Sequence, residues 1–225
     1  MSEIPRPRAP SDELFETIAR SLEAQGYCVL PDALPTTLTE TLVAAIAELE
    51  AQDFRRARTG RGELQQLNPF VRRDKIYWID KATEHAQAWL DWSDDLKTYL
   101  NRRLFLGLQY FESHFAVYEP GAFYKKHVDA FKGEENRKIS LVVYLNKGWE
   151  PGQGGELTIF NDEGEELLKV TPSFATIAVF LSEEFPHEVL PTSRERYSVA
   201  GWFRLKSPSL PDLSPANIGT QSFNT

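Results

Sequence analysis

The chain has 225 residues, 33 acidic against 25 basic, and its formal net charge of −8 argues against a protein built to grip phosphate backbones. With 41% hydrophobic and 26% charged residues and 14 phenylalanines, it can bury a substantial core and is not a disordered chain. It has no apolar run long enough for a membrane span and no apolar centre of a secretory signal, and its single cysteine, Cys28, cannot close an internal disulfide. These features predict a cytoplasmic monomer with no membrane or nucleic-acid partner.

Residues 1–10 hold three prolines and two arginines and read as a flexible lead-in. Ser11 is placed to cap a helix, with Asp12 and Glu13 facing the positive end of its dipole. Leu14, Ile18 and Leu22 then recur every four residues until Gly26 ends the helix. "YCVL" (27–30) reads as a short buried strand. After Pro35 a second helix carries Leu38, Leu42, Ile46 and Leu49 on one face. "FRRARTGRG" (54–62), with four arginines and two glycines, reads as a mobile basic loop. "KIYWID" (75–80) reads as a strand. Residues 84–104 read as helix, with "SDD" (93–95) offering a second start. Beyond about residue 105 short strand-like runs alternate with Gly, Pro, Asn and Asp turns, which predicts a sandwich or jelly roll with the helices on one outer face. Residues 207–225, rich in Ser, Pro and Asn, read as a weakly structured tail.

"YKKHVDAF" places His127 two residues before Asp129, so on a strand both side chains would share a face. Alone the pair means little: four histidines and 33 acids in 225 residues produce about 0.6 such spacings by chance. His187 lies 60 residues downstream on another predicted strand. Two imidazoles and one carboxylate form the facial set that leaves open positions on a non-haem Fe(II) ion. Arg196 follows nine residues later, a permanent forked cation suited to a carboxylate cosubstrate, and Tyr144 in "VVYLN" could add a hydroxyl. His85 reads as an exposed helix residue and His114 as a core or edge histidine.

These elements, with "RRDKIYWID", "LVVYLNKGW", "GGELTIF", "PHEVLPT" and "RYSVAGWF" in order, resemble the Fe(II)/2-oxoglutarate-dependent prolyl hydroxylases related to the animal oxygen-sensing enzymes. The resemblance spans about residues 74–204. It implies an α+β, mainly β fold: a double-stranded β-helix (jelly roll) with N-terminal helices packed on one face, forming one dioxygenase domain over 11–206 with its core at about 105–206. It implies Fe(II) held by His127, Asp129 and His187, and 2-oxoglutarate held by Arg196 and Tyr144 with Tyr118 beside it. O2 is the second cosubstrate and ascorbate a supporting reductant. Tyr124, Arg137 and Trp202 match positions near the substrate proline, although Trp202 could equally fill the barrel. The loop with Arg55, Arg56, Arg58 and Arg61 falls where the family has a mobile segment that closes over substrate. Ala200 stands where the animal sensors carry a threonine near the iron.

The implied activity is hydroxylation of a prolyl residue in a protein, of the peptidyl-proline 4-hydroxylase type, coupled to oxidative decarboxylation of 2-oxoglutarate to succinate and CO2. A translation elongation factor of the Tu type is the implied partner for bacterial relatives. Hydroxylation of a free amino acid, a nucleic-acid demethylase and a non-catalytic binding module stay open as alternatives on the same scaffold.

Overall fold

The computed structural model describes residues 10–49, 55–56, 70–83, 85–130 and 137–205. Among the described residues, three helices lead: α1 (Pro10–Gln25), α2 (Thr36–Glu48) and α3 (Gln87–Leu104). Eleven strands follow or interleave: β1 (Tyr27–Leu30), β2 (Arg55–Arg56), β3 (Lys75–Ile79), β4 (Tyr110–Tyr118), β5 (Tyr124–His127), β6 (Arg137–Tyr144), β7 (Leu157–Phe160), β8 (Glu166–Val170), β9 (Ile177–Leu181), β10 (His187–Val189) and β11 (Arg196–Arg204). They form a seven-stranded sheet, β1-β9-β6-β11-β4-β3-β2, facing a four-stranded sheet, β5-β10-β7-β8. Every pairing between them is antiparallel, as a jelly roll requires.

Alternation along the strands divides the core in two. On β6, Ile139, Leu141 and Val143 face the helices, which sends Ser140, Val142 and Tyr144 to the inner face between the sheets. On β11, Val199 and Phe203 point to the helices, so Arg196, Ser198, Ala200 and Trp202 point inward. The helix-side core takes Phe15 and Ile18 from α1, Leu42 from α2 and Trp89, Leu96 and Leu100 from α3. The inner core joins Ala116, Tyr118, Tyr144 and Phe180 to Leu157, Ile159 and Val189 of the small sheet.

Several sequence-based boundaries shift. α1 begins at Pro10, one residue before the expected Ser11 cap, because proline is favoured in a first helical turn. α3 is one continuous helix starting at Gln87; Ser93 is buried inside it, since packing of Trp89, Trp92 and Leu96 outweighs the weak internal start. His85 lies in the turn ahead of α3 with φ of 59° and meets Glu48 at 3.1 Å, rather than on a helix face. The expected basic loop contributes β2, where Arg55 and Arg56 pair with Ile76 and Lys75. The large sheet also draws β1, β2 and β3 from the front half, beyond the 105–206 core expected. Gly26 ends α1 at φ of 79°, its N–H donating to Leu22 O, and a Cβ there would lie 2.7 Å from the Phe185 ring. Residues 1–9, Arg58, Arg61 and the 207–225 tail lie outside the described residues.

Candidate active site

The inner face of the jelly roll carries a polar wall. β5 ends on His127 and β10 begins on His187, and the two residues are direct partners across the antiparallel pair. Asp129 lies just past the end of β5, in a bend, so it meets His127 through a turn rather than through strand alternation. His127, Asp129 and His187 each offer a ligand atom within 4.8 Å of the others. His127 Nε2 is 3.6 Å from Asp129 Oδ1, and His187 Nε2 is 3.5 Å from Oδ2.

The ring tautomers follow from the backbone. Nδ1 of His127 lies 2.8 Å from Lys125 O and Nδ1 of His187 lies 3.0 Å from Phe185 O, so each Nδ1 donates its proton. Each Nε2 is left as the lone-pair donor atom, the arrangement that ligating imidazoles need. Burial pushes His187 down to about 4, against the opposing pull of Asp129, and keeps the ring neutral near pH 7. Burial alone would raise the Asp129 carboxyl; His187, His127 and Arg137 outweigh it and hold the group well below the usual carboxylate range. Ser140 Oγ donates to Asp129 Oδ2 at 2.7 Å and lies 2.9 Å from Ser182 Oγ. Two neutral imidazoles and an ionised, oriented carboxylate are the donor set for an Fe(II) ion with open positions.

A second polar group lies deeper. Arg196 is 2% exposed, yet no carboxylate pairs with it among the described residues. Its Nε donates to Gly155 O at 2.8 Å and one terminal nitrogen to Ser198 Oγ at 3.2 Å. Its guanidinium carbon lies 4.8 Å from the Tyr118 ring centre and 5.0 Å from that of Tyr144. Tyr118 is the register partner of Arg196, and Tyr144 is the partner of Ser198. Tyr144 is fully buried, its hydroxyl meets no partner in hydrogen-bonding geometry among the described residues, and burial pushes its pKa up to about 12 against the opposing pull of Arg196. Burial raises Tyr118 as well. A buried cation and an orphaned hydroxyl each cost free energy unless something answers them. A carboxylate ligand answers both. Gly155, at φ of 72°, makes room: a Cβ there would stand 3.1 Å from Arg196 Cδ.

The remaining expected residues fall around the triad. Tyr124 stacks on His127 with centroids 3.6 Å apart and an 18° tilt, and Arg72 lies over the Tyr124 ring at 4.3 Å. Arg72 is itself held by the buried Asp74 through two hydrogen bonds of 2.7 and 2.5 Å. Arg137 lies over the Trp202 ring at 3.8 Å and is bound by Glu112. Trp202 packs near His114 and Trp78, and among the described residues its Nε1 has no hydrogen-bond partner. His114 is a core histidine, 4% exposed and pushed down to about 4 by burial. Arg55 and Arg56 are placed in β2, without a described side-chain position.

Sequence reasoning missed Arg72, Asp74, Glu112, Ser140 and Gly155. The Arg72–Asp74 spacing inside "RRDK" carried a local signal. Glu112 pairs with residues 25 and 92 positions away, which no local pattern reveals.

A jelly roll with a two-histidine, one-carboxylate cluster beside a buried arginine defines a class, the non-haem iron oxygenases that use a 2-oxo acid. Residues 113–204 match the 2OG-Fe(II) oxygenase superfamily. The crystal structure of a Pseudomonas putida prolyl-4-hydroxylase is 39% identical, covering 86% of this chain and 100% of its own, with a TM-score of 0.76. Human prolyl hydroxylase EGLN3 is 29% identical across 84% of this chain and 82% of its own length. A Trichoplax adhaerens prolyl hydroxylase in complex with a hypoxia inducible factor oxygen degradation domain peptide fragment shares the fold, with a TM-score of 0.76, 24% identity and coverage of 86% of this chain and 90% of its own. The chain belongs to the 2OG-Fe(II) oxygenase superfamily, among its prolyl hydroxylases. Fe(II), 2-oxoglutarate and O2 are accordingly its cofactor and cosubstrates. No helix among the described residues is long and apolar enough to cross a membrane.

Proposed function

We propose that this chain hydroxylates a prolyl residue in a protein, with His127, Asp129 and His187 holding Fe(II) and Arg196, Tyr144 and Tyr118 seating 2-oxoglutarate. Residues 11–206 act as one dioxygenase domain. The observation that carries this reading is the buried Arg196, unmatched by any carboxylate among the described residues, on the inner face of the large sheet toward which the triad opens. When bound, the iron with 2-oxoglutarate and O2 supplies the oxidising power that places one oxygen atom on a proline ring carbon and the other in succinate, with release of CO2.

The chain's own residues bind, orient and exclude water. Arg196 offers donors to the distal carboxylate of 2-oxoglutarate, and Tyr144 Oη adds one more. The rings of Tyr118 and Tyr144 flank the guanidinium and keep water from it, which strengthens the ion pair that forms. Ser140 fixes the face that Asp129 presents. Tyr124, Arg137 and Trp202 line the protein-substrate side, and Arg55, Arg56, Arg58 and Arg61 are assigned to substrate gating. Ascorbate supports turnover by keeping the iron reduced.

A translation elongation factor of the Tu type is the candidate protein substrate. The test is incubation of the purified enzyme with Fe(II), 2-oxoglutarate and a bacterial lysate, and separately with purified Tu-type factor, followed by peptide mass spectrometry. The expected result is a one-oxygen mass gain on a prolyl residue that requires all three additions. Oxidation of free proline with no modified peptide would replace the protein reading with the small-molecule one. Absence of any 2-oxoglutarate turnover would point to a binding module.

A further inference from the structure

We propose that Glu112 is a positioning residue for the protein substrate: it holds Arg137 over Trp202 at the rim of the site. The proposal rests on the prolyl hydroxylase reading, but its geometric part can be tested separately.

Glu112 lies on β4 directly across from Trp202 on β11. Its Oε1 accepts from Arg137 Nε at 3.1 Å and from a terminal nitrogen at 2.8 Å, while Oε2 accepts from Arg204 at 2.7 Å. The carboxylate is 13% exposed and each guanidinium side chain 25%. One carboxylate thus stands between two cations. Removing its charge takes from Arg137 the carboxylate oxygen that accepts two of its N–H groups, and charge-assisted contacts of this kind set geometry as well as energy.

The position of this clamp matters because of what lies beside it. Trp202 is paired across β6 with Ser140, whose hydroxyl steadies Asp129. Arg137 begins β6, the strand that carries Ser140. The Arg137–Trp202 pair therefore forms a platform next to the metal cluster, and Glu112 fixes the platform without belonging to the cluster. A long arginine side chain held in one rotamer has already lost freedom that substrate binding would otherwise remove. The expected consequence is on protein-substrate affinity rather than on the chemical step.

The test compares wild type with Glu112→Gln and Glu112→Asp. Acrylamide quenching of tryptophan emission, with Trp202→Phe isolating the contribution of that indole, reads whether Arg137 covers it. Steady-state kinetics with the prolyl peptide that the wild type modifies reads the substrate effect. Glu112→Gln is expected to quench more strongly and to raise peptide KM about tenfold while kcat falls less than about threefold. Glu112→Asp is expected to recover much of both. Wild-type quenching in Glu112→Gln would overturn the clamp. A fall in kcat with KM unmoved would overturn the substrate role. If wild type modifies no peptide, the prolyl reading fails, and increased quenching in Glu112→Gln would still support the clamp.

Discussion

The two faces of the seven-stranded sheet are packed on opposite terms. Toward the helices, β6 and β11 send Ile139, Leu141, Val143, Val199 and Phe203 into an apolar layer closed by Trp89, Leu96 and Leu100. Toward the small sheet, the alternate positions of the same strands send Ser140, Tyr144, Arg196, Ser198 and Trp202, two of which, Tyr144 and Trp202, have a polar atom without a partner among the described residues. The first face stabilises the fold; the second uses that stability to keep a buried cation and an orphaned hydroxyl in place. One sheet thus separates folding from chemistry at two-residue intervals.

The comparison can be broken most severely at the metal cluster. Asp129→Ala should lower metal affinity, read by titration calorimetry with Mn(II), and 2-oxoglutarate turnover by at least about 100-fold, since it removes the only carboxylate of the set. The opposite face should respond in stability. Leu100→Ala empties a fully buried position on α3 and should cost about 2–5 kcal/mol by denaturant titration, with turnover retained below the melting temperature.

His114 probes the inner face through pH. Its folded pKa is near 4 against an ordinary 6.5, with burial the main cause. The unfolded chain takes up this proton at a higher pH than the folded one. Its contribution is therefore a loss of stability as pH falls from 6.5 toward 4, and above 6.5 it imposes no penalty. The loss is on the order of 3 kcal/mol. His114→Gln should flatten that part of a stability–pH curve. The smallest effect sharpens the contrast: Tyr144→Phe should weaken 2-oxoglutarate binding about tenfold while leaving the unliganded melting temperature level or raised, because among the described residues the hydroxyl has no well-formed hydrogen bond to lose.

What the sequence disclosed follows from how local each signal was. Strand alternation marked the jelly roll from β4 to β11, and the order of His127, Asp129, His187 and Arg196 marked the polar wall. β2 escaped notice because two arginines carry no alternation; their pairing is decided by the waiting edge of β3. Glu112 escaped because a glutamate on a strand reads as solvent-facing until its two arginine partners arrive from β6 and β11. Asp129 was found by a spacing rule whose geometry differs in detail, since a bend, not a shared strand face, brings it to His127.

The pairing of β1 with β9 has a consequence for how the molecule is made. Tyr27 aligns with Phe180 and Leu30 with Ile177, so the large sheet is not complete until a strand near the start of the chain meets one made some 150 residues later. Until then β9 presents a row of unpaired amides and carbonyls beside an apolar surface. In the folded chain β1, packed against α1, covers an edge of β9 that would otherwise be open to a neighbour.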